Sequence, residues 1–204
     1  MMWVFRIVGF ASLVASLSLA NVVAPSVAWE NGPIENLQVV LLLVGAAIAI
    51  RYQADAQVAQ HTWYWRCGVI IWLCLAGREL GWGANLYPST KTTSAGEPIY
   101  SSHLLPFIGT VHIALGVLAV AMLAVAVRYR FWRIPGELFR QGEIPWLEIA
   151  MIVLGSAISL AVDGSRTQLS AMVGAGHEVL EEFVELAVYA FFAAAQVRAR
   201  AVLR

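Results

Sequence analysis

Polar residues in this chain gather into short intervals, and between them run six apolar stretches, at 7–28, 34–50, 67–87, 103–127, 146–162 and 178–197. Each is close to the roughly 20 residues that a helix needs to cross the hydrocarbon of a bilayer. The intervals carry helix breakers: Asn31, Gly32 and Pro33, the run from Tyr87 to Pro98, and the run from Arg133 to Pro145. The pattern predicts an all-α fold, a polytopic transmembrane bundle of about six helices filling one domain over residues 1–204. The first stretch has a second reading as a cleaved secretory signal, with Arg6 ahead of it and the small residues Ser18 and Ala20 near its end. Its apolar run continues through Val27, longer than a usual signal core, which favours a span.

Composition agrees with the pattern. Hydrophobic residues make up 60% of the chain and charged residues 13%, with a mean hydropathy of +0.72, far from soluble usage. Cys67 and Cys74 lie seven apart on nearly one face of a single helix, unsuited to a disulfide or to metal spacing, and read as small packing residues. Charge sharpens the picture, because a net charge of zero hides a segregation. Threading six spans puts ten of thirteen bases on one side: Arg6, Arg51, Arg66, Arg128, Arg130, Arg133, Arg140, Arg198, Arg200 and Arg204. By the positive-inside rule that side is cytoplasmic, so both termini are inside and the chain belongs in an inner membrane. Topology accounts for these arginines, and nothing points to nucleic acid. His61, in "HTWYWR", sits on the same side among aromatics that read as an interfacial anchor.

Nine of the thirteen acids fall at the outer ends of helices or in outer loops, and several lie inside apolar runs, where a charge is costly. The last helix begins "HEVLEEFVE". At about 100° per residue, Glu178, Glu181, Glu182 and Glu185 fit one arc about 100° wide that should face the bundle, with Tyr189 and Gln196 continuing the stripe. The helix dipole accounts for Glu178. It does not account for three further carboxylates at this spacing, which repel unless a proton or a cation sits among them. His177, Glu178, Glu181 and Glu185 are candidate ligands for a divalent metal such as zinc, manganese or iron.

The third stretch ends "GRELGWG". Arg78 and Glu79 inside an apolar helix need partners, which the last helix or Asp163 could supply; Trp82 reads as an interfacial tryptophan or a platform for a ligand. In "ENGPIENLQ", Asn31 or Gly32 can cap the second helix, with Pro33 at its first position and Glu35 in its first turn. Together with the glutamate-rich last helix, these stretches resemble uncharacterised multi-pass bacterial membrane proteins, some of which carry Glu-Ile-Ser-Trp-Gly in place of the motif. The resemblance touches Glu35, Glu79, Trp82, Gly83 and, more loosely, Glu182 and Glu185. It implies a shared scaffold and no particular reaction.

Asp163 opens an Asp-Gly turn after the fifth stretch and, with Arg166, reaches the same outer surface. His103 lies at the mouth of the fourth helix, and His112 about 14 Å deeper by helical rise. By the same rise, Glu185 and Glu79 each lie roughly 12 Å in, so His112 could share their depth if all three face inward. A bis-histidine haem has no pair of facing histidines at depth and is not supported.

Three functions remain. The outer acidic, His and Arg cluster binds a divalent metal or a proton, as a transporter or binding component. Alternatively it is a membrane-embedded hydrolase, with a metal on His177, His112 or the glutamates activating water, Glu182 or Asp163 as catalytic candidates, and Arg78, Glu79, Trp82, Arg166 and His103 holding an outer-leaflet substrate. The third is an accessory or scaffold subunit with structural ion pairs. The bilayer is the one partner the sequence establishes; a homo-oligomer or a larger membrane complex is open.

Overall fold

Some helix ends in this chain follow hydropathy, and others are set by backbone geometry. The computed structural model describes residues 1–89, 91–92, 98–162 and 176–203. Among them are seven α-helices: α1 Met2–Leu19, α2 Pro33–Asp55, α3 Ala59–Glu79, α4 Ile108–Arg128, α5 Ile134–Arg140, α6 Trp146–Val162 and α7 His177–Ala199. A two-stranded antiparallel pair, Lys91–Thr92 with Pro98–Ile99, interrupts the long loop before α4. Three helices, α1, α2 and α4, are long and apolar enough to cross a membrane, and α6 is a shorter apolar helix.

The apolar stretch expected at 146–162 coincides with α6. Others shift. α1 stops at Leu19, well short of residue 28, where the chain enters a turn at 20–22. α3 starts eight residues earlier than expected and ends at Glu79, where Gly81, Trp82 and Gly83 all take positive φ. The 133–145 interval, expected as loop, contains α5. Its proline falls in the first turn, where a helix tolerates it, and Ile134 and Leu138 are buried.

The chain divides into two compact units, Met1–Leu41 with Pro145–Arg198, and Leu42–Ile144 with Ala199–Arg204. In the first unit α7 is the central element, with no exposed residue along its length. Leu180 and Val184 pack with Ala20 and Val162, while Val179 and Leu186 pack with Ala28 and Ile34. Phe10 meets Phe191 edge to face at 5.1 Å. At the other end of α1 and α6, Arg6 Nε donates to Glu148 Oε1 at 2.6 Å, and both residues are buried.

In the second unit, Tyr52, Trp65, Ile134, Leu138, Ala199 and Leu203 form one core. Trp65, expected as part of an interfacial anchor, is instead 1% exposed, and its Nε1 donates to Leu203 O at 3.0 Å. The helical register of "HTWYWR" turns that indole inward, whereas Trp63 stacks on Tyr129. His61 pairs with Glu137 at 3.4 Å, and Arg200 with Asp55 at 2.6 Å. Cys67 and Cys74 are free thiols.

Candidate functional site

The second helix begins as its sequence suggests. Pro33 is its first residue, and the Glu35 carboxylate accepts from the backbone N–H of Asn31, which holds φ at 61°. One turn further on, Gln38 points into the protein and is fully buried. Its Nε2 donates twice to one residue of α7, to Glu182 O at 2.9 Å and to Glu182 Oε2 at 2.8 Å. Gln38 Oε1 is buried with no hydrogen-bond partner among the described residues. One turn along α7, about 4.5 Å by helical rise, Glu185 Oε1 accepts from Ser159 Oγ of α6 at 3.0 Å.

Two carboxylates of α7 are thus gripped from two different helices by neutral groups. A hydroxyl and a carboxamide each both donate and accept, so they can serve a carboxylate or its protonated form. On Gln38 the donor half is used, while the acceptor half is left with nothing to accept. Burying a polar atom without a partner is costly, which makes this oxygen the feature of the site that asks for an explanation.

The remaining α7 candidates, His177, Glu178 and Glu181, are half-buried in its first two turns, and Tyr189 is buried one turn beyond Glu185. In the second unit, Arg78 grips its own neighbour: Nε and Nη2 lie 3.1 and 3.0 Å from Glu79 Oε1. Glu79 is buried there, and Trp82 is half-buried. His103 is exposed in the short helical turn Ser102–Leu104, and His112 is exposed on α4, a helix without a buried residue. Asp163, Arg166 and the Glu97 loop acid lie outside the described residues. Among the described residues, no three His, Cys, Asp or Glu side chains gather closely enough to hold a metal ion.

The sequence alone assigned no role to Gln38 or Ser159, and placed Glu148 only among the acids of the cytoplasmic side. Each is a polar position inside an apolar run, which is the available signal. No family model, curated protein or solved structure matches the chain. The fold itself defines the class: a mostly helical protein with, among the described residues, three helices long and apolar enough to cross a membrane.

Proposed function

We propose that the protein is an inner-membrane protein of about six spans, with both termini cytoplasmic, that binds protons on the last helix at Glu182 and Glu185 and passes them across the bilayer. The observation that carries this reading is the buried Gln38 carboxamide, which donates to Glu182 while its own oxygen has no partner among the described residues. Ser159 plays a similar part at Glu185, as a neutral group that keeps its hydrogen bond in either protonation state. A divalent metal on His177, Glu178, Glu181, Glu185 or His112 is the competing form of the same cation-binding function. It asks for ligands to converge that no described cluster supplies.

The test reconstitutes the purified chain in liposomes with a pH-sensitive dye, beside metal analysis of the same preparation. The wild type should dissipate an imposed pH gradient, and Glu182→Gln and Glu185→Gln should fall to the rate of protein-free liposomes while remaining folded. Stoichiometric metal that both variants lose would replace the proton reading with a metal site. Neither flux nor metal would leave a scaffold subunit, for which the buried Arg6–Glu148 pair already offers a structural reason.

A further inference from the structure

The "GRELGWG" motif carries an unusual backbone of its own. Trp82 holds φ 54° and ψ 29° between Gly81 at φ 52° and Gly83 at φ 93°. Left-handed backbone is ordinary for glycine and a genuine outlier for a bulky aromatic residue, and such strain persists where a site needs it. Its effect is visible at Gly77, where an added Cβ would lie 2.6 Å from Trp82 Cζ3. The turn therefore folds the indole back along α3, and only a glycine leaves room for it.

Beside that indole runs a groove of about 310 Å³ between α3 and α4, at the lower end of the range for small-molecule sites. Ile71 and Leu75 of α3 line it with Leu115, Leu118 and Met122 of α4, and Arg78 and Trp82 also border it. The Arg78 side chain is 55% exposed, and Glu79 fixes its guanidinium through Nε and Nη2. The groove is thus apolar along its length, with one cation and one indole toward the C-terminal end of α3. No residue of α4 is buried, and its mean hydropathy of 2.4 suits it to hydrocarbon.

We propose that this groove is a binding site for an anionic phospholipid, with an acyl chain between α3 and α4 and the phosphate at Arg78. Trp82 closes the groove against the headgroup region, where an indole's apolar face and polar N–H are both accommodated. The amphipathic layout selects a lipid over a second copy of the chain, because the single positive charge lies at the end where a headgroup belongs and everything below it matches a tail.

Native mass spectrometry of the full chain in detergent tests this with phosphatidylglycerol and phosphatidylcholine of equal chain length. The wild type should retain one phosphatidylglycerol, preferred by about tenfold, because phosphatidylcholine has the same phosphate but brings a choline cation toward Arg78, and two like charges a few ångströms apart repel by about 1 kcal/mol or more at an interface. Arg78→Gln should level the two lipids. Gly77→Ala, which displaces the indole, and Leu118→Trp, which fills the groove, should weaken both adducts without altering charge; they carry the test if Arg78→Gln does not fold. Equal retention of the two lipids by the wild type, or a phosphatidylglycerol adduct untouched by Leu118→Trp, overturns the proposal. A dimer that Leu118→Trp dissociates would overturn it too, assigning the groove to a second copy.

Discussion

Glu148 has no exposed surface, and Arg6 directs both Nε and Nη2, at 2.6 and 2.5 Å, to only one of its oxygens. The other oxygen has no hydrogen-bond partner among the described residues. A buried pair of this kind adds little net stability, but taking away one member leaves an uncompensated charge. Arg6→Met should therefore destabilise the protein by about 3–5 kcal/mol, and the double change Arg6→Met with Glu148→Met should recover most of the loss. Unfolding equilibria in mixed micelles measure both; equal losses in the single and double variants would show that the pair is not the cause. Neither residue announced itself in the sequence. Arg6 is one of ten bases that topology explains, and Glu148 stands at the edge of an apolar run. Their meeting, 142 residues apart, depends on the register of α1 against α6, which no local pattern encodes. Glu35 is the opposite case: its role at the start of α2 is local, fixed by Asn31, Gly32 and Pro33, and it was legible without the fold.

At the scale of helices, the wheel for α7 placed its four glutamates on one arc, and in the structure all four are half-buried on a helix without an exposed residue. What the wheel could not show is how α6 approaches. An added Cβ on Gly155 would lie 2.5 Å from Val188 Cγ2, and Gly155 lies one turn from Ser159 along α6. Val188 is stiff about χ1 and has little freedom to move aside. Gly155→Ala should cost about 1–3 kcal/mol by overpacking, and Val188→Ala added to it should restore most of that. A double-mutant cycle in the same micelle assay reads the coupling, and additive losses would mean that the helices are not held by this contact. Helix limits were legible in proportion to how far hydropathy sets them. α6 falls where its apolar run falls, while α3 ends at a run of positive φ inside the apolar stretch, a backbone property that hydropathy does not register.

Between α4 and α7, apolar composition and burial run in opposite directions, the order expected where the most apolar surface faces lipid. α4 has the highest mean hydropathy of the three long apolar helices, 2.4, and no buried residue. α7 has four glutamates in its first nine residues and no exposed one. Those charges oppose a span only where they face lipid, and α7 has 23 residues, about 34 Å at helical rise. Protein around the glutamates removes the objection, since a charge that faces protein is the tolerated kind. α3 is 21 residues long, and its Glu79 is likewise buried. The six spans with both termini inside that are proposed above would place Ser89 outside and Gln141 in the cytoplasm, following the arginines of 128–140. After Cys67 and Cys74 are replaced by alanine, Ser89→Cys should react with a membrane-impermeant maleimide added to intact spheroplasts. Gln141→Cys should react only once the membrane is permeabilised. The reverse pattern would invert the orientation and move the α7 glutamates to the cytoplasmic side; labelling of both positions in intact spheroplasts would break the alternation between them and reduce the number of spans.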